Sequence, residues 1–473
     1  MAIFIVGKFM VHCYKNNGYN IVLDSNSGSV HAVDEVAFEV IDKYESRSKE
    51  EIILELCDKY PEITADDIEE IFQDIEELKK EGKLFSEDKF KDLQIDIKAR
   101  PTQLKALCLH IAHDCNMCCK YCFAGEGEYS GDRSLMSFEV GKRALDFLIE
   151  QSGSRKNLEV DFFGGEPLLN FDVVKQLVAY ARSIEKEKGK NFRFTLTTNG
   201  VLLNDEVMEW ANKECYNVVL SLDGRKETND RMRRTRNDKG TYDLILPKFQ
   251  KMAKERNQQG YYIRGTYTHY NTDFANDILH LADLGFEQLA MEPVVTDPKM
   301  DYALQESDIP KLKDQYDLLA KEMCKRNREG KGFTFFHYMI DLEGGPCIYK
   351  RISGCGVGTD YMAVTPWGDL YPCHQFVGDE KFLLGNVFDG VKNTDIVNEF
   401  KLCNVYSREA CQDCFAKLYC SGGCSANAYH TTGKITGTCD MSCELHRKRV
   451  ENAIMIKIDE LFANSENNEN NQE

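Results

Sequence analysis

Apolar and polar residues alternate through Phe4–Tyr14, Tyr19–Asp24 and Ser29–Val33, the period-two signature of strands. Turn sequences separate them at Asn16-Asn17-Gly18 and Asp24-Ser25-Asn26-Ser27-Gly28. The period then changes to that of helices over Glu35–Tyr44, Lys49–Lys59 and Ala65–Glu81, the last closed by Gly82. A second stretch, about 103–330, alternates strand and helix. Its apolar strand segments are Leu104–Ala112, Leu158–Phe163, Phe192–Thr197, Asn217–Leu222, Tyr262–Thr268 and Gln288–Pro293. Helical patterns lie between them at Ser137–Gln151, Asp172–Lys188, Asp205–Lys213, Tyr242–Arg256 and Asp273–Leu284. Six such units predict an α/β fold, a parallel sheet curled into an open, partial (β/α)6 barrel. In such sheets function collects at the C-terminal ends of the strands. A third stretch, 340–460, is rich in Cys and Gly and poor in periodicity, as expected of chain held by ligation more than by an apolar core. A last helix is expected at Glu444–Phe462, and the wholly polar 464–473 reads as a disordered tail. The domains so predicted are 1–95, 103–330 and 340–460.

Composition narrows the partners. The chain has 473 residues, and its formal charge of −19 argues against a nucleic-acid backbone or an anionic membrane as partner. No run approaches the ~18–20 apolar residues that span a bilayer. The short apolar run Ala2–Val6 is broken by Gly7-Lys8 and carries no cleavage site, so a cytoplasmic protein is expected. In a reducing compartment the 19 cysteines read as metal ligands where they cluster. Scattered ones such as Cys13, Cys57, Cys215 and Cys324 read as apolar residues or idle thiols.

The first cluster is Cys115-Asn116-Met117-Cys118-Cys119-Lys120-Tyr121-Cys122, just past the first barrel strand. Cys115, Cys119 and Cys122 make C-x3-C-x2-C, and Cys118 falls outside the spacing. Three thiolates can hold three irons of a [4Fe–4S] cluster and leave the fourth open, whereas an electron carrier uses four. An open iron can chelate S-adenosylmethionine (SAM), which one electron cleaves to a 5′-deoxyadenosyl radical. The bland alternative is zinc, but zinc prefers four ligands and no matching fourth lies nearby.

On these residues the chain resembles the radical SAM superfamily. The likeness continues at later strand ends, in Gly164-Gly165-Glu166-Pro167, Thr197-Thr198-Asn199-Gly200 and Ser221-Leu222-Asp223-Gly224. It implies that Glu166 accepts from the SAM ammonium group beside Gly164 and Gly165, and that Asn199 and Ser221 lie near ribose and carboxylate. Phe123 is implied as a backbone contact to adenine. Arg264 is a candidate carboxylate partner or, equally, a surface arginine.

A second constellation runs Cys355-x12-Gly368-x4-Cys373, then Cys411-x2-Cys414-x5-Cys420-x3-Cys424, then Cys443. This resembles the SPASM pattern, whose members bind two auxiliary [4Fe–4S] clusters. By that likeness Cys411, Cys414, Cys420 and Cys443 ligate one auxiliary cluster, and Cys355, Cys373 and Cys424 the other. Either Cys347 or a substrate thiolate completes the latter. Cys439 competes with Cys443, and a zinc ribbon over Cys411–Cys424 is the bland alternative. His113 reads as a packing residue. His374 stands where sulfatase-maturing relatives carry a catalytic Asp; it is a candidate proton acceptor and disfavours that activity.

The first region resembles, by element order, a PqqD-like, winged-helix-like peptide-recognition domain. The whole layout resembles maturases of six-cysteine (SCIFF) peptides, which install thioether links. That likeness implies SAM and three [4Fe–4S] clusters as cofactors. The partners it implies are a cysteine-rich precursor peptide with a leader and an electron donor such as ferredoxin or flavodoxin. Rival readings are carbon–carbon cross-linking or epimerisation, formylglycine formation on a sulfatase, and a non-catalytic multi-cluster electron carrier.

Overall fold

The computed structural model describes residues 10–91, 102–129, 131–344 and 347–470, without the side chains of 466–470. An antiparallel sheet opens the chain: β1 (Val11–Asn16), β2 (Tyr19–Asp24) and β3 (Val30–Val33), in that order. The predicted first strand began at Phe4, and its residues before 10 lie outside the described ones. Asn17 and Gly18 both take positive φ, 50° and 85°, which is why Asn-Gly closes this hairpin. Three helices follow: α1 (Glu35–Lys43), α2 (Lys49–Lys59) and α3 (Ala65–Lys80). Asp34, Ser48 and Thr64 cap their N-termini, the last two in full capping boxes. Phe38, Ile52, Leu56, Ile68 and Phe72 close a separate small core against Val22.

The second region is the parallel sheet the alternation predicts. Its strands are β4 (Ala106–His113), β6 (Asn157–Gly164), β7 (Asn191–Thr198), β8 (Cys215–Ser221), β9 (Tyr261–Tyr267) and β10 (Gln288–Pro293). Two short strands join them: β5 (Ser134–Leu135), antiparallel to β4, and β11 (Thr334–Phe335), parallel to β10. Period two divides the two faces. Leu107, Leu109, Ile111, Val160, Phe162, Phe194, Leu196 and Leu220 enter the large core under the helices. Cys108, His110, Asp161, Phe163, Tyr262, Arg264 and Glu292 alternate with them and face the other, concave side. There Asp161 on β6 acts electrostatically on Tyr262 of β9, across the intervening β7 and β8.

The third region departs from expectation. It adds β12 (Tyr361–Val364), which pairs in parallel with β4 from Tyr361↔Ala106 to Val364↔Leu109. From there β13 (Asp369–Tyr371), β14 (Gly385–Asn386) and β15 (Gly390–Val391) extend the same sheet antiparallel. Tyr371, Phe376, Phe382 and Phe400 give it an apolar core of its own, with helices at Thr394–Leu402 and Ser425–Thr432. Strands of two to four residues are too short to show a period, so the pattern hid them.

The final helix spans Asp440–Asn470, taking in residues 464–470 that read as tail. Once a helix is nucleated, each added residue costs little, and polar sequence suffices. This helix packs along Ile309–Arg328, a helix the strand-and-helix count did not include. Tyr14 Oη donates to Glu451 O at 3.0 Å, Tyr19 Oη to Asp459 Oδ1 at 3.0 Å, and Arg328 Nη2 to the same oxygen at 2.7 Å. Between them the buried Asn16 Nδ2 donates to Asn452 Oδ1 at 2.7 Å. Asn452→Ala strands that buried amide, so urea unfolding should show a loss of about 1–3 kcal/mol. Adding Asn16→Ala should cost less than the sum of the two single changes.

Candidate functional site

Backbone proximity builds the site. Gly164 has φ 127°, and a Cβ there would lie 2.3 Å from Ala112 O. A Cβ on Gly165 would lie 2.1 Å from Asp114 O, so neither position admits a side chain without moving backbone. In their place hydrogen bonds form: Gly165 N–H donates to Ala112 O at 2.8 Å and Glu166 N–H to Asp114 O at 2.9 Å. The end of β6 is thereby fastened to the start of the cysteine loop.

Glu166 is fully buried, and three donors hold its carboxylate. They are Asn199 N–H at 2.8 Å, Thr198 Oγ1 at 2.8 Å and Leu168 N–H at 3.1 Å. Burial nevertheless dominates and raises its pKa to about 7. Asn199 turns its side chain the other way, donating to Asn116 Oδ1 at 2.8 Å and to Cys115 Sγ at 3.6 Å. Met117 N–H also points at Cys115 Sγ, at 3.4 Å. The buried Asn116 Nδ2 has no partner.

Beneath the loop sits a group that sequence reasoning missed. Tyr121 Oη donates to Asp223 Oδ2 at 2.5 Å and accepts from Arg233 Nη1 at 2.9 Å. Arg233 is buried, and its guanidinium opposes the effect of burial on both Asp223 and Cys119. Lys120 N–H and Cys118 N–H donate to the carbonyls of Met232 and Arg234, at 2.9 and 2.8 Å. In the sequence Arg233 sits within the run Arg231–Arg236, which looks like any solvated basic stretch.

Cys115, Cys119 and Cys122 are close enough to act on one another electrostatically. Burial, then Glu166, pushes the Cys115 thiol up to about 12; burial pushes Cys119 to about 11 against the pull of Arg233. Two further thiol groups assemble in the third region. Cys373 neighbours Cys355 and Cys424, and its thiol is held well above the ordinary range, chiefly by burial. Cys420 neighbours Cys443, Cys411 and Cys414. These four, with Cys424 and Cys439, line a cavity of about 340 Å³. Burial raises Cys420 to about 12 and Cys443 to about 11. Cys347 is exposed at the start of the helix Ile348–Ser353, beyond the undescribed residues 345–346. Among the described residues, no three His, Cys, Asp or Glu side chains close at the spacing of a single ion. Soft thiols in groups, most of them half-buried, with N–H donors on Cys115 Sγ, suit an iron–sulfur cluster, which carries the cation that such thiolates require.

His374 reaches the concave face. Its ring lies 5.1 Å from Phe163 and 5.4 Å from the half-exposed Phe123, its Nδ1 has no partner, and burial then Arg264 lower its pKa to about 4. Arg264 is exposed on that face, its backbone beside Ser221 of β8. His113 is buried with Nε2 3.0 Å from His110 Nδ1, a packed residue as its position implied.

The family model of the radical SAM superfamily matches residues 109–285. A cysteine-type anaerobic sulfatase-maturating enzyme of Clostridium perfringens (strain 13) is 26% identical over 333 residues, which cover 66% of this chain and 85% of that enzyme. The radical SAM cyclopropyl synthase TigE of Paramaledivibacter caminithermalis is 22% identical over 397 residues, 76% of this chain and 77% of its own. Among solved structures, native anSMEcpe with bound AdoMet and the Cp18Cys peptide superposes with a TM-score of 0.61 at 19% identity. That match covers 77% of this chain and 99% of the other, and shows the shared fold. No helix among the described residues is long and apolar enough to cross a membrane.

Asp161 gives this face a pH signature. Burial, then Glu159, raises its pKa to about 6. A carboxyl group raised in the folded state favours folding below its unfolded pKa, and that stability is lost as pH climbs through the folded value. Denaturant unfolding should therefore show the wild type losing roughly 2 kcal/mol between pH 4 and 7 relative to Asp161→Asn.

Proposed function

Taking residues 109–285 as a radical SAM domain, we propose that the chain is a peptide maturase that installs thioether links in a cysteine-rich precursor. Cys115, Cys119 and Cys122 would hold the SAM-binding cluster. Cys355, Cys373 and Cys424, and separately Cys411, Cys414, Cys420 and Cys443, would hold two auxiliary ones. When bound, the first cluster and SAM supply a 5′-deoxyadenosyl radical to the concave face. The observation that carries the reading is the corner where Glu166, Asn199 and Cys115 meet through hydrogen bonds. A buried carboxylate with its pKa near 7, held by three neutral donors and eased only in part by the charge of Arg233, is ready to receive an ammonium group, which would hold it ionised. Asn199 ties that carboxylate to the cysteine loop, so both ends of SAM's amino-acid part find fixed partners. Arg264 would supply a guanidinium for its carboxylate, and Ser221, whose backbone lies beside it, and Phe123 would complete the contacts to SAM.

The remaining residues manage substrate and protons. His374, neutral and buried with a free Nδ1, offers an acceptor away from water. β3 has one strand neighbour among the described residues, and beside it Val30, Ala32, Ile458, Leu461 and Phe462, with Ser27 and Ser29, line a groove of about 490 Å³. A leader peptide adding a strand there would tether the core peptide near the barrel. Formylglycine formation is the second reading, favoured by likeness to the sulfatase-maturating enzyme and opposed by His374-Gln375 in place of an Asp.

The test is anaerobic reaction of reconstituted enzyme with SAM, a reductant and a candidate short cysteine-rich precursor peptide. Thioether formation predicts 5′-deoxyadenosine, loss of two hydrogens and one alkylatable thiol gone per link. The same mass loss with all thiols intact would point to other oxidation, and absence of 5′-deoxyadenosine from iron-replete enzyme would sink the reading. Gly165→Ala should abolish SAM cleavage and lower the iron retained by the first site, because its Cβ displaces the Asp114 carbonyl. Iron analysis beside SAM-cleavage assays measures both.

A further inference from the structure

Away from the cysteines, the densest set of buried ionisable groups lies where the terminal helix passes the end of β10. Arg449 is 5% exposed, and its Nε donates to Tyr316 Oη at 2.8 Å. Its Nη1 lies 3.5 Å from His337 Nδ1. Its Nη2 has no hydrogen-bond partner and stands 3.7 Å from Glu292 Oε2. His337 Nε2, buried and likewise unpartnered, is 3.3 Å from Glu292 Oε1. Burial, then Arg449, drives His337 far below its usual pKa, so the ring is neutral. With Nδ1 facing a guanidinium that only donates, the single ring proton belongs on Nε2, toward Glu292. His446, lowered to about 4 by burial and Arg449, is neutral as well.

Two buried donors thus converge on one carboxylate that remains 36% exposed. Glu292 alternates with the outward-facing Met291 and lies on the concave side. Across the ladder Thr266 pairs with Glu292, and Arg264 with Ala290, so Glu292 sits one strand from the guanidinium offered to SAM. Two residues before Arg264, Tyr262 stacks on Phe336 at 6.0 Å and 16°, and Phe336 is 56% exposed. The arrangement is a poor device for stability, since buried charge pairs barely repay their desolvation. What it secures is the aim of one carboxylate. Arg449 already faces that single negative charge and both histidines are neutral, so neutral N–H donors suit what remains exposed of it.

We propose that Glu292 is a substrate-binding residue whose carboxylate accepts main-chain N–H groups of the core peptide. Arg449 and His337 position it, and Tyr262 with Phe336 forms an aromatic wall beside the peptide. The inference rests on the peptide-maturase reading above. Steady-state kinetics of the holoenzyme on the same candidate cysteine-rich precursor peptide test it, with 5′-deoxyadenosine and modified peptide counted in the same samples. Glu292→Gln preserves shape and weakens acceptance, so KM should rise about tenfold, the worth of a hydrogen bond to a charged group. The change in kcat should be smaller, and more 5′-deoxyadenosine should form per modified peptide. Glu292→Asp should restore part of the coupling, and Arg449→Lys, which keeps charge but loses aim, should loosen it. An unchanged KM and an unchanged ratio in Glu292→Gln would overturn the proposal and leave the maturase reading intact. Wild-type enzyme that cleaves SAM yet leaves the peptide unmodified would overturn both.

Discussion

The approach of Gly165 to the Asp114 carbonyl is the contact from which the site is assembled. With 2.1 Å available to a Cβ, only glycine lets the ends of β4 and β6 touch. The touch has consequences on both sides. It sets Glu166 under the Asn199 amide, and it fixes the first residue of the cysteine loop to a rigid sheet rather than to a mobile connection. The far side of the loop is fastened differently, by main-chain bonds to Met232 and Arg234 and by the Tyr121–Asp223–Arg233 set beneath it. Three thiols are thus held from two directions before any ligand arrives. Such preorganisation would suit an iron–sulfur cluster held by three thiolates, which lacks a fourth protein ligand to steady it.

What the sequence disclosed follows from how local each signal is. The six long strands show alternating or continuous apolar positions over six to eight residues, and the cysteine groups announce themselves by spacing, so both are legible from short windows. Strand β12 is four residues long and pairs with a strand some 250 positions earlier, and nothing in its own neighbourhood reports that. Arg233 is illegible for a related reason. Its run of basic residues has the composition of a solvated face, and only burial against Tyr121 and Asp223 changes its meaning. Cys403 belongs to the same class: buried near both thiol groups of the third region, it takes a hydrogen bond from Arg408 Nη2 at 3.2 Å and fits no ligand spacing. Glu292 carries no sequence signal at all, because its partners come from Phe336–Tyr338 and from a helix more than 150 residues away.

The terminal helix links these separate sites. Cys443 lines the cavity of the third region, Arg449 braces Glu292 at the barrel rim, and Glu451 and Asn452 hold the N-terminal sheet. Ile458, Leu461 and Phe462 then border the groove beside β3. At 1.5 Å per residue, the nine residues from Arg449 to Ile458 span about 14 Å. A leader seated beside β3 would therefore start close to the rim, and a few extended residues at about 3.3 Å each would reach the concave face. Such a short tether gives a high effective concentration and restricts which core residues can reach the site. Because the same helix braces the rim and borders the groove, a shift that opens one loosens the other. The buried Asn16–Asn452 bond and the half-buried bonds from Tyr19 and Arg328 to this helix oppose such a shift, so on the proposed reading the choice of reacting residue would depend on the rigidity of the terminal helix as well as on the sheet.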